Sequence, residues 1–91
     1  MGVKKIAKPI NNAKNEFVKW LKNNKAECLD VYEGSDYDDD FDYYRNVSGF
    51  IGHALYTVYF IMWEGAVSID YSDEDNTYKS MSIDEFLKLL N

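Results

Sequence analysis

Apolar residues recur at helical spacing near both ends of this chain and at alternate positions between them. In NNAKNEFVKWLKNN (residues 11–24), Ala13, Phe17, Trp20 and Leu21 fall on one side of a helix, with Lys14, Lys22 and the asparagines on the wet side. Asn11 or Asn12 is expected to cap its start, and Asn23–Asn24 to stop it. At the other end, MSIDEFLKLLN predicts a second helix. Ser82 with Glu85 three residues on has the spacing of a capping box, Met81 and Phe86 that of a hydrophobic staple, and Ile83, Phe86, Leu87 and Leu90 form the apolar stripe. Between the helices, ECLDVYE (residues 27–33) alternates, with Leu29 and Val31 on one face. FDYYRNVSGFI (residues 41–51) does the same with Phe41, Tyr43, Arg45 and Val47, and Gly49 suggests a bulge. ALYTVYFIMW (residues 54–63) is aromatic and β-branched and apolar on both faces, which suits a central strand. AVSIDY (residues 66–71) places Val67, Ile69 and Tyr71 inward, and TYKSM (residues 77–81) offers a short edge strand.

The joints are short: a loop tip at GSDYDDD, a tight turn at Glu64–Gly65 and an acidic turn at SDEDN. Short links require antiparallel pairing, because parallel strands need long crossovers. The expected fold class is therefore α+β, a small antiparallel sheet of three to four strands flanked by an N-terminal and a C-terminal helix, in the order α-β-β-β-β-α. Residues 1–91 form one domain, with residues 1–10 as a flexible basic arm, since Pro9 disfavours helix at Lys8.

An apolar fraction of 46% is ample for a packed core. The single cysteine, Cys28, excludes an internal disulfide and a four-cysteine zinc site, and points to a reducing, cytoplasmic home. The N-terminal MGVKKIAKPI holds no apolar run of signal-peptide length, and Ile6 stands where myristoylation needs Ser or Thr, so neither leader nor lipid anchor is expected. The apolar run from Phe50 to Trp63 contains His53 and is too short to span a membrane.

Charge is unevenly spread. Residues 1–25 carry seven lysines against Glu16 alone, whereas residues 26–91 carry fifteen acids against Arg45, Lys79 and Lys88. The acidic part is a poor nucleic-acid binder, because phosphate recognition needs a positive patch. Lys14, Lys19, Lys22 and Lys25 read first as the solvated side of an amphipathic helix and second as a phosphate-binding face. The acids concentrate in DVYEGSDYDDDFDYYRN (residues 30–46), where tyrosines interleave with aspartates in a way that a disordered linker lacks. Calcium is disfavoured: a loop opening at Asp36 puts Phe41 at the required Gly and Val47 at the required Glu, and one opening at Asp73 puts Tyr78 at the Gly. Catalysis by Cys28 or a serine would need His53, the one histidine, beside it, and no spacing places it there. No cofactor, no metal and no enzymatic activity are expected.

The favoured reading is a protein-binding inhibitor whose carboxylates stand in for phosphates in the basic groove of a nucleic-acid-handling partner. In size and charge alone the chain is similar to small acidic phage-encoded inhibitors of restriction or CRISPR effectors. The residues expected to touch the partner are Asp36, Tyr37, Asp38, Asp39, Asp40, Asp42 and Tyr44, with Asp73, Glu74 and Asp75 as a second patch. The plain structural alternative is that acidic turns keep a small sheet soluble and discourage edge pairing. The other readings are an immunity or antitoxin-like protein neutralising a basic toxin, a small ligand-binding or enzymatic module around His53, Cys28 or Trp63, and a homodimer through the second apolar face of residues 56–63. Neither direct nucleic-acid nor membrane binding is expected.

Overall fold

A computed structural model of the chain describes residues 8–32 and 43–91. Helix α1 (Lys8–Asn23) is followed by β1 (Glu27–Tyr32), β2 (Tyr43–Ile51), β3 (Ala54–Trp63), β4 (Ala66–Ser72), β5 (Thr77–Met81) and helix α2 (Ile83–Leu89). The strands form one antiparallel sheet in the order β1-β2-β3-β4-β5. This is the expected α+β meander with a helix at each end, but the sheet has five strands rather than three or four, because TYKSM pairs along β4.

Helix α1 begins three residues earlier than its asparagines suggest. Pro9 lies in the first turn, where a missing N–H removes no intrahelical bond. Residues 8–10, expected in the arm, are thus helical, and Ile10 is fully buried; residues 1–7 lie outside the described residues. Asn11 is no cap: its Oδ1 accepts a 2.7 Å hydrogen bond from the Tyr43 hydroxyl. Beyond the helix end, Lys25 adopts φ 59°, its N–H donates to the Lys22 carbonyl at 3.0 Å, and the Ala26 N–H donates to the Leu21 carbonyl at 2.9 Å. This paired closure normally uses glycine at the left-handed position. Lys25→Gly is therefore expected to raise stability by about 1 kcal/mol, read as a higher urea midpoint at unchanged m-value.

Both helices pack on one face of the sheet. Phe17, Phe60 and Phe86 meet there edge-on or tilted, with centroids 5.3–6.3 Å apart, joining α1, β3 and α2. Ile10, Leu21, Val47, Val58, Met62 and Ile69 complete the dry layer around them. The capping box of α2 is present: Ser82 Oγ accepts from the Glu85 N–H and the Ser82 N–H donates to Glu85 Oε1, each at 3.1 Å. Met81 packs against the core from the staple position.

Two hairpin turns follow the rules of two-residue loops. Glu64 and Gly65 take φ 52° and 79°, both positive as a type I′ turn demands, and Gly52 takes φ 64° ahead of His53. The bulge expected at Gly49 falls elsewhere. Strand β2 pairs with β3 without a register shift, and Gly49 is buried where Leu29, Ala26 and Leu21 close in on the space a β-carbon would take. The shift lies on β1 between Glu27 and Asp30, where Cys28 takes φ 56°. Leu29 and Val31 remain over a third exposed, since the helices pack on β2, β3 and β4 and leave the β1 edge uncovered.

Candidate functional site

Residues facing each other across paired strands share a face of the sheet, so the register decides which side chains oppose the helices. Val47, Val58, Phe60, Met62 and Ile69 face them and are buried. The alternate positions make an open face. On β2 these are Tyr44, Asn46, Ser48 and Phe50; on β3, Leu55, Thr57, Tyr59, Ile61 and Trp63; on β4, Ala66, Ser68, Asp70 and Ser72. Strand β1 adds Asp30, opposite Ser48, and Tyr32, opposite Asn46. A half-solvated antiparallel sheet usually turns polar residues outward. Here four of the five outward positions of β3 are apolar or aromatic.

The aromatic residues are ordered. Tyr44 meets Tyr32 edge-on at 5.9 Å on one side and Tyr59 at 6.2 Å on the other, giving a row across β1, β2 and β3. Tyr32 and Tyr59 keep 43% and 39% of their surface exposed, and Trp63, near the end of the row, keeps 55%. Asn46, between Tyr32 and Tyr59 in register, is held by donating to Thr57 Oγ1 and to the Val58 carbonyl, each at 3.0 Å. Asp70, the cross-strand partner of Tyr59, accepts a 2.9 Å bond from the Ser80 N–H and so pins β5 at its kink. Strands β1 to β4 carry no lysine or arginine at an outward position, while Glu27, Asp30 and Asp70 each occupy one; Lys79, on β5 beside Asp70, is the lysine of this face. Arg45 belongs to the helix side, its guanidinium 4.5 Å above the Tyr43 ring.

Of the residues singled out in the sequence, Asp36, Tyr37, Asp38, Asp39, Asp40 and Asp42 lie outside the described residues. The described strands on either side of them end at Tyr32 and resume at Tyr43, near the Glu64–Gly65 turn. Tyr44 stands on the open face as the middle ring of the row. The second patch is separate: the register puts the turn of Asp73, Glu74 and Asp75 at the opposite end of the sheet, with Gly52–His53. Asp73 is used internally. Its Oδ1 accepts from the N–H groups of Asp75 and Asn76 at 2.9 and 2.8 Å, and its Oδ2 from the Tyr71 hydroxyl at 2.8 Å. Desolvation pulls the Asp73 pKa upward, but the hydrogen bonds from Tyr71, Asp75 and Asn76 outweigh it and hold the carboxyl below its ordinary value. Burial first, then the bond to Asp73, pushes the Tyr71 phenol well above its usual range. Glu74 and Asp75 are exposed.

His53 and Cys28 are exposed. A hollow of about 250 Å³ lies between α1 and the C-terminus, lined by Glu16, Lys19, Trp20, Asn23, Leu90 and Asn91. Neither His53, Cys28 nor Trp63 borders it. Among the described residues, no three His, Cys, Asp or Glu side chains are placed to hold a metal ion, and no helix is long and apolar enough to cross a membrane.

Sequence reading placed Tyr32 in the acidic, tyrosine-bearing stretch and Tyr59 in the apolar face weighed for a homodimer, but singled out neither as a site residue, and it left Phe50 and Leu55 out. The available signal was the doubly apolar strand 54–63. Comparison with protein-family profiles, curated proteins and solved structures finds no match to this chain.

Proposed function

We propose that this chain is a small acidic binding protein that inhibits a nucleic-acid-handling partner, such as a defence nuclease, by occupying its basic groove. The observation that carries the reading is the segregation of charge about the sheet. Lys8, Lys19 and Lys22 of α1, and Lys25 just beyond it, are exposed on the helix side, while the open face of β1 to β4 holds only acids among its charged residues, Glu27, Asp30 and Asp70, with Lys79 of β5 as the one cation of the sheet's open face. In sequence, Asp36–Asp42 lies between Tyr32, a member of the tyrosine row, and Tyr43, next to its middle ring. Carboxylates there attract a cationic surface at long range, and half-exposed tyrosines supply contact area at low entropic cost. Glu74 and Asp75, at the far end, lie outside the centre of this surface.

The test is competitive. Immobilised protein incubated with host lysate should retain a nucleic-acid-binding protein that salt releases and that added nucleic acid displaces. The triple change Asp38→Asn, Asp39→Asn, Asp40→Asn should weaken capture about tenfold at low salt, with the gap closing as ionic strength rises. Capture that ignores both the triple change and competing nucleic acid would overturn the reading.

A further inference from the structure

We infer, resting on that reading, that the open sheet face is an arginine-binding surface: the Tyr32–Tyr44–Tyr59 row receives guanidinium groups of a basic partner segment, with Asp30 and Asp70 as their counter-charges.

Three occupants compete for this half-exposed aromatic face, and charge separates them. Single-stranded nucleic acid stacks on such rings but needs cations beside them for its phosphates. The outward positions of β1 to β4 offer none and present three carboxylates instead, Glu27, Asp30 and Asp70, and the one lysine on this face, Lys79 on β5, stands beside Asp70 at the far edge from Tyr32. A second copy laid face to face would set one acidic face against another in a chain of net charge −6, adding like-charge repulsion. A cationic segment meets no such opposition. Strand addition at the edges is hindered as well: β1 is kinked at Cys28 and β5 at Ser80, with φ 56° and 58°, and such irregularities blunt an edge against further pairing.

Arginine is preferred to lysine for geometric reasons. The T-shaped contacts of Tyr44 with both neighbours turn successive rings in different directions, giving faces and edges at spacings of 5.9 and 6.2 Å. A planar guanidinium stacks on a ring face while its N–H groups reach a carboxylate, and an ammonium cannot do both. The chain already contains this pairing on its other side, where Arg45 lies over Tyr43 at 4.5 Å. Asp70 is directly opposite Tyr59, and Asp30 lies two residues before Tyr32 on the same face, so each end of the row has an acid beside it.

The experiment titrates the full chain with an arginine-rich peptide, its all-lysine counterpart and a single-stranded oligonucleotide. The arginine peptide should bind about fivefold or more tightly than the lysine peptide. Tyr44→Leu with Tyr59→Leu should bring that ratio close to one, whereas Tyr44→Phe with Tyr59→Phe, which keeps the rings, should preserve it. Should the leucine pair not fold, Tyr59→Leu alone should still shrink the ratio. Changing Asp38, Asp39 and Asp40 to Asn should weaken both peptides alike and leave the ratio unchanged. Equal binding of the two peptides, or a ratio that survives the leucine changes, would overturn the arginine face while the acidic-inhibitor reading stands. Binding of neither peptide would remove both. Preference for the oligonucleotide, or dimerisation abolished by the leucine changes, would replace arginine by the other occupant.

Discussion

Phe17→Ala is expected to lower the stability of this protein by about 3–5 kcal/mol, a large part of the roughly 5–15 kcal/mol that holds a domain of this size. Phe17 has no exposed surface and contacts Trp20, Phe60 and Phe86, so its ring is the joint between α1, the central strand and α2. Removing it leaves a void bounded by two helices and β3, with no side chain free to collapse into it. The melting temperature should fall by roughly 15–30 °C, since each kcal/mol shifts a small domain by several degrees. Phe17→Leu, which keeps most of the apolar volume, should fall well short of that loss. Equilibrium denaturation read by far-ultraviolet circular dichroism checks both. If the alanine variant unfolded within 1 kcal/mol of the parent, the three-ring contact would not be what ties the helices to the sheet.

Asp73→Ala should have the second-largest effect on stability, a loss of about 2 kcal/mol, because it orphans the Tyr71 hydroxyl and two turn N–H groups together. Tyr71→Phe should cost less, since the turn keeps its carboxylate. The same pair predicts a stability profile that narrows from both sides. Asp73 has a folded pKa below its ordinary 3.8, so its contribution is complete above that value and is lost as pH falls through the folded pKa. Tyr71 has a folded pKa above its ordinary 10.0, so its contribution is complete below pH 10 and declines as pH rises from there. Denaturation midpoints at acidic, neutral and alkaline pH, compared between parent and Asp73→Ala, measure the contribution. A variant with the parent's acid limb would show that the turn carboxylate is not its source.

The proposed interaction surface was legible only in part. The acidic, tyrosine-bearing segment is plain in residues 30–46, and Tyr44 in it proves to be the middle of the aromatic row. Its neighbours Tyr32 and Tyr59 are twelve and fifteen residues away along the chain, and alternation alone assigns a side chain to a face without saying whether that face is covered. The different setting of Asp73 from that of Glu74 and Asp75 was hidden for a related reason. Adjacent acids look equivalent in sequence, yet one is consumed by its own turn and by Tyr71, and only its neighbours project into solvent.

Local chemistry alone determined the elements of this protein. Alternation marked the strands, Ser82 and Glu85 marked the start of α2, and Glu64–Gly65 marked a hairpin, because each signal acts over one to four residues through sterics and hydrogen bonds. Tertiary packing decided the rest. Ile10 drew the first turn of α1 into the core, crowding by Leu21, Ala26 and Leu29 buried Gly49 within a regular strand, and β1 rather than β2 took the kink. Above all, the two helices among the described residues pack on the same face of the sheet, over β2, β3 and β4, so Leu55, Tyr59 and Trp63 on the other face of β3 stay exposed.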